Sequence, residues 1–205
     1  MIVAADLSAP MTAETKARAA CLIGWPAAHS RSPLIHHYWL RTLGIDGGYN
    51  IEAVPPEEVA EFIQHLAKHG FVGANVTIPH KERALQLTMP DARAKAVGAA
   101  NTLYYDGEML RSTNTDVEGF VGNLDASAPG WDRAGEALVL GAGGSSRAVV
   151  FGLIERGITR IHLANRSMER AQALADQFGA KVTPIAWDEV AGKLSRIGLL
   201  VNTTS

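Results

Sequence analysis

The strongest constraint on this chain is a glycine-rich turn set between an apolar strand and a helix. Ala137–Leu140 is an apolar run, and Gly141-Ala142-Gly143-Gly144-Ser145-Ser146-Arg147-Ala148 follows it directly, opening a helical pattern that runs to Arg156. Such a chain turns tightly at Gly141, brings bare backbone forward at Gly143 and Gly144, and aims unsatisfied helix N–H groups, with Ser145 beside them, at a pyrophosphate. Ala148 is small enough for close helix-to-strand packing. The motif departs from Gly-x-Gly-x-x-Gly because Ser146 takes the third glycine position, so the loop alone leaves a plain structural turn open as a reading.

The end of the next strand narrows the choice. In NAD-binding folds an acidic residue about 20 positions on accepts the ribose hydroxyls. Here the strand Arg160–Ala164 ends in Asn165-Arg166-Ser167. A carboxylate would repel a 2′-phosphate, whereas the Arg166 fork and the Ser167 hydroxyl can bind one, with Arg170 a turn later as a second cation. The plainer use of Arg166 is an exposed loop cation. Strand, loop, helix and strand over residues 137 to 166 thus predict a dinucleotide unit that prefers NADP(H) to NAD.

A second alternation precedes this one. Ala19–Gly24 reads as a strand, and Ser32-Pro33 as an N-cap with proline at the first helical position of a helix reaching Leu43. Tyr49–Val54 reads as a strand, Pro55-Pro56-Glu57-Glu58 opens a helix with Val59, Phe62, Ile63 and Leu66 on one face, and Gly70 stops it. Phe71–Ile78 is a buried strand closed by Pro79, followed by a helix over His80–Leu87. Alternating strands and helices imply a parallel sheet, to which Asn101–Tyr105 and Met109–Ser112 add a hairpin about Asp106-Gly107. A helix over Asp116–Leu124 leads away, and Ala126–Arg133 is the linker candidate. Past it come helix Met168–Phe178 and strands Lys181–Ile185 and Ile197–Asn202. The expected fold is α/β: an N-terminal α/β domain with a mostly parallel sheet over residues 1 to 116, loose over 1 to 17, then a Rossmann-type NADP-binding domain over 117 to 205, incomplete at the C-terminus.

Composition excludes several classes. With 205 residues, 47% hydrophobic, 20% charged and a net charge of −2, the chain carries no basic footprint for nucleic acid or an acidic membrane surface. No apolar run nears the ~18 residues a bilayer requires, and the start lacks the order of a signal peptide. A cytoplasmic location and a small-molecule partner follow as expectations. The single cysteine, Cys21, reads as a small apolar strand residue. His65 and His69 share a helical spacing, but Leu66-Ala67-Lys68 between them supplies no general-base Glu, so no metal site is predicted.

Four polar segments lie near strand ends in the first half: His29-Ser30-Arg31-Ser32-Pro33, Asn75-Val76-Thr77-Ile78-Pro79-His80-Lys81, Ala100-Asn101-Thr102 and Asn114-Thr115-Asp116. Each has a plain structural use: Ser32 or Asp116 can cap a helix, Thr77 can fill a strand, Lys81 can decorate a first turn. In this order, ahead of a Gly-Ala-Gly-Gly loop and an Asn-Arg-Ser strand end, they closely resemble shikimate dehydrogenase over about Cys21 to Ser205. The resemblance implies reversible NADPH-dependent reduction of 3-dehydroshikimate to shikimate, a step toward chorismate and the aromatic amino acids, in a cleft between two domains. It implies that Ser30 and Ser32 bind the substrate carboxylate, which suits two hydroxyls beside a helix N-terminus. Thr77, Asn101 and Asp116 would bond the ring hydroxyls. Lys81 would sit where the carbonyl oxygen becomes an alkoxide, paired with Asp116, which favours the ammonium and fixes its direction. Acid–base and purely electrostatic roles for Lys81 both stay open.

The chain stops just after the strand Leu199–Asn202 and Thr203-Thr204, with the second mononucleotide half barely begun. Family members continue with more of the sheet, nicotinamide contacts and C-terminal helices that return to the substrate domain with a glutamine. A truncated chain or a fragment is therefore expected, with activity of the chain as given in doubt. A shikimate/quinate dehydrogenase of broader cofactor use and a non-catalytic binding fragment are the alternatives, as a monomer or homodimer.

Overall fold

A computed structural model describes residues 18–204. The loose extension expected over residues 1 to 17 lies outside the described residues, as does Ser205.

The first half is built on β1 (Arg18–Gly24), α1 (Ser32–Leu43), β2 (Gly47–Ala53), α2 (Val59–Gln64), β3 (Phe71–Val76), α3 (Lys81–Leu87), β4 (Met89–Pro90), α4 (Ala92–Val97), β5 (Thr102–Asp106) and β6 (Met109–Thr113). These strands form one sheet in the order β2-β1-β3-β5-β6-β4. β1 runs parallel to both β2 and β3, and the β5–β6 hairpin adds antiparallel to β3, as the alternating pattern predicts. Its core gathers Ile23, Ile63, Leu66 and Leu103, each at most 2% exposed; complete burial of such a side chain stabilises by roughly 1.5–3 kcal/mol.

The second half begins with α5 (Asp116–Ser127) and continues through β7 (Glu136–Leu140), α6 (Gly144–Glu155), β8 (Arg160–Ala164), α7 (Met168–Phe178), β9 (Val182–Ile185) and β10 (Leu199–Asn202). Its sheet is parallel throughout, in the order β10-β7-β8-β9. The chain winds outward from β7 through β8 to β9 and then crosses back to place β10 on the other side of β7. The order therefore reverses at β7, and the crevice beyond the carboxyl end of that strand is where an open α/β sheet receives its ligand. The glycine-rich turn occupies that position.

Two expectations need correction, and two elements were not expected. Ser32 is the first residue of α1 rather than its cap; Arg31 takes the cap position, and Ser30 Oγ accepts the Ser32 N–H at 3.2 Å. The linker expected over Ala126–Arg133 is packed: α5 runs on to Ser127, and Trp131, 8% exposed, joins the core of the second half with its Nε1 donating to Asp125 at 2.9 Å. Finally β4 and α4 had no counterpart in the sequence reading. Asp91 caps α4 by accepting the Ala94 N–H at 2.7 Å, and Gly98 ends it at φ +76°. With six residues, α4 is too short for a hydrophobic period to show.

His65 and His69 do not share a regular helix face, since α2 ends at Gln64, and His69 stacks on Phe62. Cys21 is fully buried in β1, where burial pushes its thiol up to about 12. No helix among the described residues is long and apolar enough to cross a membrane.

His80, 1% exposed, ties the start of α3 to the end of β2, its Nε2 meeting the Val54 carbonyl at 2.7 Å. Burial holds this imidazole below its ordinary value of 6.5, with the Val54 bond working the other way. Because the folded value is depressed, the neutral ring's contribution is complete above about 6.5 and is lost as pH falls toward the folded value. Urea denaturation at pH 7.5 and 5.5 should show lower stability at the acid pH, and a smaller pH difference in His80→Gln.

Candidate active site

Lys81, the first residue of α3, is 9% exposed, and its Nζ donates to Asp116 Oδ2 at 2.7 Å. Asp116 opens α5, so this pair joins the first half of the chain to the helix that leads into the second. The other carboxylate oxygen accepts from Asn101 Nδ2 at 2.8 Å. Asn101 Oδ1 in turn accepts the Thr115 N–H at 3.0 Å, and Asn114 accepts the Asp116 N–H at 3.0 Å while donating to the Ala99 carbonyl at 2.9 Å. Both oxygens of Asp116 and its backbone are therefore fixed. An ammonium has three donors; one holds Asp116, which leaves N–H bonds for a substrate oxygen.

Thr77 follows β3, and its N–H donates to the Ile23 carbonyl of β1 at 2.9 Å. Gly24 is a glycine because any side chain there would run into the Thr77 methyl. Ser30 and Ser32 lie in the segment after β1, their hydroxyls 3.2 Å apart. All the expected substrate contacts thus come from segments at the carboxyl end of β1 and β3 or the neighbouring ends of β5 and β6. Ser30, Ser32 and Thr77 make no hydrogen bond to the Lys81–Asp116 pair.

A cleft of about 680 Å³ separates this edge from the glycine-rich turn. Gly141, Gly143, Gly144, Ser145, Asn165, Arg166 and Arg170 line one wall; Ile78, Pro79 and Lys81 line the other. The residues fit a dinucleotide. Gly141 has φ +107°, and a side chain there would strike Thr203. The first turn of α6, from Gly144 on, has N–H groups without intrahelical acceptors, the ready form of an anion site. Arg166 and Arg170 form no ion pair among the described residues, so both cations are free for a phosphate.

Two residues of the turn, and Ser167 at the next strand end, have protein partners that the sequence did not announce. Ser146, 1% exposed, accepts the Gly143 N–H at 3.1 Å and meets Thr203 Oγ1 at 2.6 Å, while Thr203 donates to the Leu140 carbonyl at 2.7 Å. The serine at the third glycine position thus locks the turn to the strand end beside it, and the Gly143 N–H is occupied. Gly144 is required by a neighbour other than phosphate: a Cβ there would lie 2.9 Å from Lys81 Cβ. Ser167 lies outside the lining of the cleft; it caps α7, accepting the Arg170 N–H at 3.4 Å and donating to Glu169 at 2.7 Å. That bond holds the Glu169 carboxyl below its usual range.

The sequence reading missed Trp187, a half-exposed ring in the cofactor wall, and Thr203. Thr203 carried a usable signal, since it directly follows a core strand at the edge where ligands bind. It also missed Arg147, which reaches Glu82, the residue after Lys81, at 3.2 Å and also bonds Gln177.

Two family models match the chain: the shikimate dehydrogenase substrate binding domain over residues 22–103, and shikimate/quinate 5-dehydrogenase over residues 131–205. A shikimate dehydrogenase (NADP(+)) from Nitrobacter hamburgensis is 83% identical over 195 residues, 95% of this chain and 68% of the relative. The chain belongs to the shikimate dehydrogenase family. Among solved structures, shikimate dehydrogenase from Aquifex aeolicus superposes with a TM-score of 0.84 at 31% identity, over 94% of this chain and 71% of that one. The Thermus thermophilus enzyme in complex with NADP(H) and shikimate gives 0.77 at 36% identity, over 91% of this chain and 68% of that one.

Gly144→Ala should displace the Lys81 stem and the turn together. NADP affinity, read by calorimetry, is expected to fall about tenfold or more, together with a loss of thermal stability that Gly143→Ala, with no protein atom near its Cβ, should share less. Equal losses in the two variants would remove the special place given to Gly144.

Proposed function

We propose that this chain carries the site for the reversible, NADPH-dependent reduction of 3-dehydroshikimate to shikimate, a step toward chorismate and the aromatic amino acids. One observation carries the reading: the Lys81 stem rests on Gly144 of the dinucleotide turn while its Nζ holds Asp116. A proton-bearing group and a dinucleotide cradle thus face the same cleft, which an alcohol–ketone interconversion requires. The high-identity relatives named for NADP and shikimate support the same reaction.

When bound, NADPH supplies the hydride. The chain's own residues do the rest. As the substrate carbonyl oxygen gains charge, Lys81 stabilises it and delivers the proton; in the reverse direction the Lys81–Asp116 pair takes the hydroxyl proton. Asp116, Asn101 and Thr77 orient the ring through its hydroxyls. Ser30 and Ser32 bind the carboxylate at the start of α1, where the helix dipole favours negative charge. Arg166, with Arg170 a turn away, takes the 2′-phosphate; Asn165, Gly141, Gly143, Gly144 and Ser145 shape the rest of the cofactor wall, and the Ser167 hydroxyl reaches that phosphate only by leaving Glu169. In this reading residues up to 116 are the substrate domain and residues from 117 the NADP domain. The protein works in the cytoplasm as a monomer or homodimer, two states that sedimentation distinguishes.

NADPH appearance with shikimate and NADP tests the reaction, with quinate and NAD as the competing arms. Binding of NADP and shikimate without turnover would mark the 205-residue chain as a binding fragment. Lys81→Ala should lower turnover by about 10²- to 10⁴-fold with a modest change in shikimate affinity. Unchanged turnover would take Lys81 out of the mechanism. Arg166→Ala should raise the KM for NADP by roughly ten- to a hundredfold and leave that for NAD nearly unchanged, since a charged hydrogen bond is worth about 1.5–3 kcal/mol.

A further inference from the structure

The hydrogen bonds that converge on Asp116 do not begin at Asn101. Asn101 Oδ1 accepts from Thr102 Oγ1 at 3.0 Å, Thr102 Oγ1 accepts from Asn75 Nδ2 at 3.4 Å, and Asn75 Oδ1 accepts from Tyr49 Oη at 2.7 Å. A carboxylate can only accept. Asn101 must therefore turn its NH₂ toward Asp116 and its carbonyl toward Thr102, and each member behind it donates in the same sense. The orientation of the chain is fixed at one end by Asp116 and at the other by the tyrosine hydroxyl.

Strand register explains how Tyr49 reaches so far. Tyr49 pairs with Ala20, Asn75 pairs with Leu22, and Thr102 pairs with Asn75, so all three project from one face of the sheet. Ala20, the direct neighbour of Tyr49 on β1, is small enough for the ring to pass over on its way from β2 to β3. Tyr49 is 3% exposed, and burial pushes its hydroxyl up to about 12, so it keeps its proton at any working pH. Its ring stacks on His36 at 3.8 Å between centroids, and His36 Nδ1 meets the Ser32 carbonyl at 2.9 Å. One side chain therefore touches both halves of the substrate edge: the helix that begins at Ser32, and the amide chain that ends on Asp116.

We propose that Tyr49 is a positioning residue of the substrate site, anchoring through its bond to Asn75 the far end of the hydrogen-bond chain that holds Asp116 opposite Lys81. The role rests on the shikimate reading above. Without the hydroxyl, the half-buried Asn75 carbonyl loses its donor and the amide is free to turn over, so Thr102 loses the N–H it accepts and Asn101 keeps only the partners at its Asp116 end. The cofactor wall contains none of these residues.

The test is a cycle on the full chain: wild type, Tyr49→Phe, Asn75→Ala and the double variant, each titrated calorimetrically with shikimate and separately with NADP. Tyr49→Phe retains the ring that stacks on His36. It is expected to weaken shikimate binding about tenfold while NADP affinity, which also reports folding, stays within about twofold. Added to Asn75→Ala, it should cause no further loss, because it acts through that amide. Unchanged shikimate affinity in Tyr49→Phe overturns the proposal, and so does a full tenfold loss on the Asn75→Ala background. A wild-type chain that binds NADP and no shikimate overturns the substrate reading itself, and this role with it.

Discussion

A lysine ammonium that is 9% exposed needs a fixed acceptor, and in this chain one carboxylate provides it. The placement of Asp116 is what the rest of the structure accommodates. As the first residue of α5 it belongs to the helix that packs on α6, and α6 begins at the dinucleotide turn. That packing is close: a Cβ on Gly152 of α6 would lie 2.9 Å from Val121 and 3.4 Å from Val117. Moving α5 would move the acceptor of Lys81 away, and moving α6 would lift Gly144 off the Lys81 stem. The proton-bearing group and the cofactor cradle are positioned by the same pair of helices.

The turn itself shows how a departure from a motif can preserve its geometry. A third glycine would leave room at Ser146; here a buried hydroxyl fills it and connects the Gly143 N–H to Thr203 and so to the Leu140 carbonyl. The direction of this small chain is set, since Thr203 donates to a carbonyl, so Ser146 donates to Thr203 and accepts from Gly143. Two strand ends, those of β7 and β10, are thereby joined at the point where the strand order reverses. The turn gains a rigid base and uses one N–H of its own, while the first turn of α6 remains to face phosphate.

Much of this was legible in the sequence. Long alternating segments gave the strands of both sheets except β4 and their parallel sense, and the family resemblance carried by the motif order implied that Lys81, Asn101 and Asp116 share one site, where the structure bonds Asp116 to both of the others. What escaped detection depends on contacts between residues distant in the chain. Nothing in the sequence around Gly144 says that its neighbour is Lys81, 63 positions earlier. Ser167 is legible for neither role on its own, since a serine there can face a phosphate or cap α7; among the described residues its hydroxyl caps α7 and donates to Glu169 two residues on. Trp131 sits in a Pro-Gly stretch that reads as a linker, yet its indole is large enough to be drawn into the core whatever the backbone around it does.

The contact between the two halves of the chain has two unequal parts. Val97, Ala99, Val117 and Ala148 form a buried apolar seam, with Val121 and Phe151 packed against it. Around it lies a polar clasp: Arg147 to Glu82, Gln177 to the carbonyls of Ala96 and Val97 at the end of α4, and Arg93 to Glu118 and Glu155. Exposed ion pairs contribute about 0–1 kcal/mol each because water replaces them readily, whereas exposing the seam would cost its full apolar area. The seam therefore contributes more to holding the halves together than the clasp around it. Glu82 follows Lys81 on α3, and Arg147 lies on the first turns of α6, so the clasp closes directly behind the Lys81–Gly144 contact.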